Sequence, residues 1–378
     1  MAERFIQLLF QRHGEQFRDT NNLSAIQLKA MNAIEKCSTG LLGYHRVVCE
    51  SCGHHQVVYN SCRNRHCPHC QWVKQEVWVD GIKSQLLPVK YAHLVFTLPD
   101  FLNEFVLLNH QLIYNMLFEA SWHAVNRCCL SCLEAQTGAL SVLHTWGQNL
   151  SLHPHVHMLV PAGGLDTDGM QWISSAKGFF LPIRALSRIF RARMLFLLRD
   201  AVFGKQLRIP EKWRGKNIAE ELRGLSEQKD WVVHLEKSRL SPTKVVEYLG
   251  RYIQRVAISN HRVIAIEGDN VSFHYKDYSD KGKKKTMTLP AMEFIRRFMQ
   301  HILPKGFCKV RYYGILSIRN RKEKLIQCLG LLNKILLPPR LNGLSISQII
   351  EQLTGKNLGL CPACGNGTMR ILKPPESE

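Results

Sequence analysis

The sequence predicts an α+β fold with a small metal-binding region near its N-terminus. Strand-like and helix-like segments follow one another without the regular strand–helix–strand spacing that is typical of parallel α/β folds. The apolar fraction of 45% is that of a globular protein, and 378 residues are enough for two or three domains. Five of the 13 cysteines fall between Cys49 and Cys70, which indicates metal ligands in that region.

Hydrophobic periodicity and turn residues place the elements along the chain. Helices are predicted at 71–88, 101–129, 182–204, 241–259 and 290–303, and strands at 91–99, 154–161, 270–278 and 307–316. Ser241 is the expected N-cap of the fourth helix, with Pro242 in its first turn. Asp168 and Gly169 suit a hairpin turn into a further strand, and the lysine-rich stretch 280–287 is predicted to be a loop.

The charge of the chain indicates an anionic partner. With a formal net charge of +20 and an isoelectric point near 9.5, the chain repels itself unless a partner neutralises it, most often nucleic acid. The alternative is a ribosome-associated or merely basic protein. No apolar segment reaches the ~20 residues of a spanning helix, and the N-terminus lacks a secretory pattern. We therefore expect an intracellular, cytoplasmic protein with no membrane partner and with reduced cysteines.

Two Cys-x2-Cys pairs predict a zinc site. Cys49 with Cys52 and Cys67 with Cys70 are separated by 14 residues, and four thiolates suit tetrahedral Zn²⁺. A second zinc site is the hypothesis for the four residues Cys37, His45, Cys62 and His66. The alternative is that Cys37 and Cys62 are small core residues and that His66 is a polar surface residue.

Two arginines near these pairs and two cysteines much later in the chain are further candidate binding residues. Arg63 and Arg65 are placed to contact phosphates beside the metal. Cys361 and Cys364 form half of another zinc turn, and two sulfurs do not satisfy zinc alone. The sequence leaves open whether Cys308, Cys328 or His301 completes that site.

The stretch LHPHVHMLVP predicts a second kind of metal site. Residues i and i+2 of a strand share a face, so His155 and His157 project together as two ligands of a divalent ion. His153 has the same parity, but Pro154 interrupts the strand. The predicted third ligand is Gln148, with Asn149 as its competitor, and such a site would accept Mg²⁺ or Mn²⁺. The alternative is a pair of surface histidines.

Tyr248 and Tyr252 are four residues apart on a predicted helix, so both hydroxyls can reach one place. Helical periodicity puts Tyr248 in one basic stripe, with Tyr252 on its border, and a different set of residues on the buried face. The stripe holds Lys244, Arg251 and Arg255, and the buried face holds Val245, Val246, Leu249, Ile253 and Val256. A phenol with a pKa near 10 attacks a phosphodiester only with help, and a histidine-bound cation beside it would supply that help.

These motifs resemble those of the HUH-type two-tyrosine transposases of rolling-circle insertion sequences, the insertion sequence 91 family. The matching stretches are HPHVHMLVPAGG, YLGRYIQRVAISNHR, NSCRNRHCPHCQ, KTMTL, LPKGF and RYYG, and along the chain they occur in the order of the family. The resemblance covers about residues 35 to 320. It implies His155 and His157 as metal ligands, Tyr248 and Tyr252 as nucleophiles, and an HUH core with a central antiparallel sheet flanked by helices. The implied domains are a zinc-binding domain at 1–90, an HUH nuclease at 91–325 and a C-terminal region at 326–378.

The resemblance also implies the chemistry and the partners. A tyrosine nicks single-stranded DNA at the element end, a 5′-phosphotyrosine forms, and the strand is transferred to target DNA. No helicase signature is present, so host replication or helicase factors would unwind the duplex, and the protein would be nucleoid-associated when bound. The alternatives are a plasmid replication initiator or relaxase, and a non-catalytic zinc-ribbon DNA-binding regulator.

Overall fold

The computed structural model describes residues 4–175, 181–228, 231–236, 241–253 and 257–372, with the backbone alone for residues 251–253. The chain divides into two compact units, each built from separate stretches of sequence. Unit 1 comprises Met1–Gly81, Gln254–Ile302 and Pro338–Glu378, and unit 2 comprises Ile82–Ile253 and Leu303–Leu337. Within the described ranges, no helix is both long and apolar enough to cross a membrane.

The helices and strands of the described residues confirm the α+β prediction. The α-helices are α1 (Phe5–Thr20), α2 (Ala25–Lys36), α3 (Trp72–Lys83), α4 (Asn103–Leu108), α5 (His110–Leu133), α6 (Ile183–Phe203), α7 (Ile218–Gln228), α8 (Pro242–Ile253), α9 (Ala291–Met299), α10 (Arg321–Leu331) and α11 (Ile346–Thr354). The strands are β1 (Tyr44–Cys49), β2 (His55–Tyr59), β3 (Tyr91–Thr97), β4 (Gly138–Trp146), β5 (Leu152–Pro161), β6 (Gly163–Leu165), β7 (Trp172–Ser174), β8 (Val233–Leu235), β9 (Val263–Glu267), β10 (Asn270–Asp277), β11 (Lys283–Pro290), β12 (Val310–Gly314) and β13 (Met369–Ile371).

The main sheet of unit 2 has five antiparallel strands in the order β12-β4-β5-β3-β8. Helices α5 and α6 pack on each other and cover one face of it. On that face Phe96 and Val156 of the strands join Phe118 and Phe190 of the helices in one fully buried core. Burial stabilises each such side chain by roughly 1.5–3 kcal/mol. Because that face is apolar and covered, the alternate residues of β4 and β5 are presented on the opposite face.

Unit 1 contains two three-stranded antiparallel sheets, in the orders β13-β1-β2 and β11-β10-β9. Helices α1 and α2 pack together, and α1 also packs on α9. The ring centroids of Phe10 and Phe298 lie 5.3 Å apart in an edge-to-face contact at that junction. Strand β13 comes from the C-terminal end of the chain, yet it pairs with β1 near the N-terminus.

The predicted linear segments 1–90, 91–325 and 326–378 do not coincide with the two units. The chain returns to unit 1 twice, after Ile253 and after Leu337. Composition and local periodicity report on neighbours in sequence and carry no information about such returns. The division into three segments therefore stays a prediction.

Two of the predicted elements are corrected by the structure. The lysine-rich stretch 280–287 is not all loop, because β11 begins at Lys283 and pairs with β10. The Lys285 ammonium lies 2.8 Å from the Asp277 carboxylate and 3.1 Å from that of Asp280, which offsets the repulsion among the lysines. The helix predicted at 101–129 is broken at Asn109, whose φ of −136° is not helical.

The other predicted strands and helices are found close to their expected positions, except at the end of the helix predicted at 241–259, where residues 257–259 are not helical and Ala257 has a φ of 50°. Helix α8 begins at Pro242, and the backbone carbonyl of Ser241 accepts hydrogen bonds from its first turn. Strands β6 and β7 form the hairpin that Asp168 and Gly169 predicted, with Gly169 in the left-handed region at φ 74°. Local turn chemistry and amphipathic patterning were sufficient for these elements.

Candidate functional site

Strands β4 and β5 form a hairpin that brings three histidines onto one face of the sheet. In its antiparallel register His144 lies directly opposite His155, and Val142 lies directly opposite His157. Directly opposite residues share a face, as do residues i and i+2, so all three imidazoles project together. The ligand nitrogens of His144, His155 and His157 lie within 4.8 Å of one another. A single metal ion can therefore contact all three.

The third imidazole is a residue that the sequence analysis missed. The predicted third ligand, Gln148, and its competitor Asn149 lie in the turn between β4 and β5. That turn is closed by a hydrogen bond of 3.1 Å from the backbone N–H of Leu150 to the carbonyl of Gly147. Gln148 as a metal ligand stays a prediction, whereas His144 stands in the cluster already.

A sequence signal for His144 does exist. The apolar run GALSVLHTW ends just before Gly147, and a short polar turn separates it from LHPHVHMLVP. A hairpin centred on that turn places residues at equal distances from it opposite each other, which pairs His144 with His155. The parity of the second strand alone identifies His155 and His157, and His144 is identified only when that strand is paired with the first.

His153 does not join the cluster. Its side chain is exposed, and the grouped histidines do not include it. The expected interruption at Pro154 is not seen, because β5 runs through it and the Pro154 carbonyl accepts a hydrogen bond from Leu98. The register irregularity lies instead on the partner strand, between His144 and Trp146.

Hydrogen bonds orient two of the three rings. The Nδ1 atom of His157 lies 2.9 Å from Nε2 of His93 on the neighbouring strand β3, and both rings are buried. The Nδ1–H of His155 donates to the carbonyl of His153 at 2.7 Å. In both rings Nδ1 is therefore engaged, which leaves Nε2 for a ligand. The Nε2 atom of His157 is buried and has no hydrogen-bond partner within the described ranges.

The surroundings hold the three imidazoles in the neutral form that binds metals. Burial is the main cause that lowers the pKa of His144 and of His157 well below the usual value. Burial likewise lowers the pKa of His155 to about 4, and repulsion from His153 adds to the effect. The positive charge of Lys309 further lowers the pKa of His144, and the Lys309 carbonyl accepts a hydrogen bond of 2.9 Å from the N–H of Leu143, the residue before His144. Lys309 is a second residue that the sequence analysis did not select.

Helix α8 presents Tyr248 to the histidine cluster. The ring centroids of Tyr248 and His157 lie 6.1 Å apart, with the rings inclined at 70°. The described part of the predicted buried face is found, since Val245, Val246 and Leu249 are 3%, 0% and 0% exposed. The side chain of Ile253 and all of Val256 lie outside the described residues. Helix α8 contacts β4, the strand that carries His144. An apolar stripe thus fixes the helix and leaves Tyr248 half-buried beside the imidazoles.

The structure describes the other residues of the predicted basic stripe on α8 less completely than Tyr248. Lys244 is exposed on α8, as the stripe requires. Tyr252 and Arg251 lie within α8, but their side chains are outside the described residues, as is all of Arg255. Their predicted roles as second nucleophile and phosphate contacts stay predictions.

The cysteines form two clusters of four, and the predicted pairing of them is wrong. Cys67 and Cys70 group with Cys37 and Cys62, and the Sγ atoms of Cys62 and Cys70 are 3.7 Å apart. Cys49 and Cys52 lie in a different cluster, with Cys361 and Cys364. Sequence spacing joined the two nearest Cys-x2-Cys pairs, whereas the pairing of β1 with β13 brings Cys361 and Cys364 to Cys49 and Cys52.

The two predicted histidine ligands of the zinc region stand outside both clusters. His45 is exposed on β1. His66 is buried, with its backbone N–H donating to Asn64 Oδ1 at 2.9 Å, so it is not the surface residue of the alternative interpretation. Of the arginines expected to contact phosphates, Arg63 is exposed and Arg65 is half-buried. Cys37 and Cys62, and neither histidine, group with Cys67 and Cys70.

The chain matches transposases along most of its length. A family model described as "Putative transposase" matches residues 138–324, and one described as "Transposase zinc-binding domain" matches residues 9–98. The "Putative transposase y4qJ" of Sinorhizobium fredii (strain NBRC 101917 / NGR234) is 42% identical over 369 residues, which cover 96% of this chain and 93% of that protein. The "Transposase for insertion sequence element IS801" of Pseudomonas savastanoi pv. phaseolicola is 31% identical over 319 residues, 80% of this chain and 73% of that protein.

The first model begins at the start of β4 and ends in α10, so it contains the three histidines and Tyr248. The second contains six of the clustered cysteines, from Cys37 to Cys70. With both regions matched, and with a transposase 42% identical along nearly the whole length, the chain belongs to the insertion sequence 91 family of transposases and carries its Zn²⁺-binding domain.

Proposed function

We propose that the protein is an HUH single-strand DNA endonuclease and strand transferase that mobilises a rolling-circle insertion sequence. The observation that carries this proposal is the position of Tyr248, whose ring lies 6.1 Å from that of His157 in a cluster of three neutral imidazoles. A nucleophile beside a preformed cation site is the arrangement that attack on a phosphodiester needs. The net charge of +20 suits a DNA partner.

His144, His155 and His157 would hold the divalent ion. The buried Nε2 of His157 supports this, because a buried polar nitrogen without a partner costs about 1–3 kcal/mol unless a ligand satisfies it. When bound, the ion polarises a phosphoryl oxygen of the DNA. Three imidazoles suit a transition metal better than Mg²⁺, which prefers oxygen ligands, so Mn²⁺ is the expected ion of the predicted two.

The chain's own groups then carry out the transfer. The Tyr248 hydroxyl oxygen attacks the scissile phosphorus, the bond from phosphorus to the 3′ oxygen breaks, and the tyrosine proton ends on that oxygen. The products are a 5′-phosphotyrosine and a free 3′-hydroxyl. Tyr252 would serve in a second cleavage, from the next turn of the same helix. Lys244, Arg251 and Arg255 would hold flanking phosphates, and the nearby Lys309 joins them in this proposal.

The zinc-binding domain would position the DNA end. Cys37, Cys62, Cys67 and Cys70 would hold one structural Zn²⁺, since tetrahedral thiolate sites need S–S separations near 3.7 Å and Cys62 and Cys70 have that separation. Arg63, exposed beside this cluster, and Arg65 would contact phosphates of the transposon end or of target DNA. Host replication or helicase factors would supply the single strand.

Incubation with a labelled single strand that carries the element end tests the proposal. With Mn²⁺ the protein should form an adduct that survives denaturing electrophoresis, and a chelator should prevent it. A protein that binds this strand without ever forming an adduct would be a zinc-containing regulator. An adduct formed on plasmid-origin strands, with none on element ends, would identify a replication initiator or relaxase instead.

His93 gives a further prediction, because it hydrogen-bonds His157 at 2.9 Å and thereby fixes which nitrogen faces the cluster. Loss of such an outer partner typically weakens metal binding 10–100-fold. We expect His93→Leu to weaken Mn²⁺ binding by about that factor, measured by electron paramagnetic resonance of free Mn²⁺. His93→Gln, whose amide can occupy the position of Nε2, should recover part of the loss. Unchanged Mn²⁺ affinity in His93→Leu would show that His93 has no positioning role.

A further inference from the structure

We propose that Cys49, Cys52, Cys361 and Cys364 bind a second zinc ion, which fastens the C-terminal end of the chain to the zinc-binding domain. The ligand atoms of these four residues lie within 4.8 Å of one another. The Sγ atoms of Cys49 and Cys364 are 3.7 Å apart, as are those of Cys52 and Cys361. Four sulfurs about 2.3 Å from a central ion form a tetrahedron with edges of about 3.8 Å. A disulfide would need about 2.05 Å, so the separations fit shared coordination.

The two halves of this site are built alike. In each half a Cys-x2-Cys turn is followed by a glycine in the left-handed region, Gly53 at φ 70° and Gly365 at φ 74°. Each glycine N–H donates to the carbonyl of the first cysteine, Gly53 to Cys49 at 3.1 Å and Gly365 to Cys361 at 2.9 Å. Only glycine adopts such a conformation without strain. One chain segment therefore repeats the metal-binding turn of the other, about 310 residues away in sequence.

Backbone N–H groups also point at the sulfurs. The N–H of Cys52 lies 3.5 Å from Cys49 Sγ, and that of Ala363 lies 3.4 Å from Cys361 Sγ. The N–H of Gly367 lies 3.3 Å from Cys364 Sγ. Donors around a sulfur stabilise its thiolate form, which is the form that binds zinc.

Strand pairing holds the two halves together. Cys49 pairs with Met369 and Val47 with Ile371 in the β1–β13 ladder. A Cβ atom placed on Gly367 would lie 2.2 Å from Cys49 Sγ, so the two segments meet with no room for a side chain. Because β13 has only three residues, its ladder is too short to hold a chain end on its own, and a shared metal would supply the missing stability.

Half of this site lies outside the region already assigned to zinc, because Cys49 and Cys52 belong to the matched domain and Cys361 and Cys364 do not. The matched zinc-binding domain ends at residue 98, well before Cys361. The cluster of Cys37, Cys62, Cys67 and Cys70 draws all its ligands from within that domain. The proposal is independent of the tyrosine chemistry, since neither cluster contains a residue of the histidine site.

The zinc content of the full-length protein tests the proposal. In a His144→Ala background, which removes one of the three imidazoles that would also bind zinc, the protein should hold about two zinc ions per chain, and adding Cys361→Ser with Cys364→Ser should leave about one. Cys62→Ser with Cys70→Ser should also leave about one, whereas the control pair Cys132→Ser and Cys308→Ser, outside both clusters, should keep two. A Cys361→Ser, Cys364→Ser protein in this background that keeps two zinc ions would overturn the proposal, as would a zinc-saturated His144→Ala protein that holds only one.

A second measurement on the wild type needs no variant. Cys52, Cys364, Cys132 and Cys308 are all exposed, so all four should be alkylated rapidly unless a metal protects them. We expect Cys132 and Cys308 to react at once, and Cys52 and Cys364 to react only after a zinc chelator is added. Mass spectrometry measures the alkylation rate at each cysteine. Equal rates at all four positions would show that Cys52 and Cys364 do not share a metal ion.

Discussion

Replacing Tyr248 with phenylalanine is expected to abolish covalent attachment of the protein to the DNA strand. The substitution removes the hydroxyl that would attack the scissile phosphorus and leaves the ring, which lies 6.1 Å from that of His157. Loss of a nucleophile typically lowers the rate by ~1000-fold or more. First-strand cleavage by Tyr248→Phe should fall by at least that factor, measured as phosphotyrosine adduct per minute with excess Mn²⁺.

Tyr252→Phe is the informative comparison for this prediction. Helical periodicity puts Tyr248 inside the basic stripe and Tyr252 on its border, so Tyr252→Phe should harm the first cleavage less and strand transfer more. Tyr278→Phe, at a tyrosine that is 72% exposed in unit 1, is the control and should cleave as the wild type does. Equal losses of first cleavage in Tyr248→Phe and Tyr252→Phe would contradict the order of action. If the protein with both Tyr248→Phe and Tyr252→Phe formed as much adduct as the wild type, neither tyrosine would be the nucleophile.

Local sequence patterns correctly predicted the features that depend on the geometry of a single strand or helix. The parity of β5 put His155 and His157 on one face, and the amphipathic period of α8 identified Val245, Val246 and Leu249 as its buried side. Both predictions depend only on the geometry of a single strand or helix. The fold class followed for the same reason, since the order of helical and extended segments is visible along the chain.

The features that the sequence did not reveal depend on contacts between residues that are far apart in the chain. Cys49 meets Cys364 only because β13 returns to β1, and spacing along the chain says nothing of that return. The same limit applies to the two units, which each collect separate stretches of sequence. His144 is an intermediate case, because the hairpin that brings it to His155 is short enough to be found by pairing strands about a turn.

Substitution of His144 should remove the divalent ion from the nuclease site. His144 supplies one of three imidazoles whose ligand nitrogens lie within 4.8 Å of one another, and two histidines alone leave a site with too few protein ligands. We expect His144→Ala to weaken Mn²⁺ binding by more than 100-fold, beyond the range for an outer-shell partner, and to lower adduct formation at fixed Mn²⁺ accordingly. Titration followed by electron paramagnetic resonance of free Mn²⁺ measures the binding directly.

Two further variants decide between the candidate third ligands. Gln148→Ala, in the turn between β4 and β5, should leave Mn²⁺ affinity within a few-fold of the wild type if His144 completes the site. His153→Ala is the matched histidine control, because its exposed ring stands outside the cluster and its carbonyl still accepts the hydrogen bond from His155. Should Gln148→Ala lose the ion while His144→Ala retains it, the original third-ligand prediction would be correct and the role of the His144 imidazole would be to pack beneath the site.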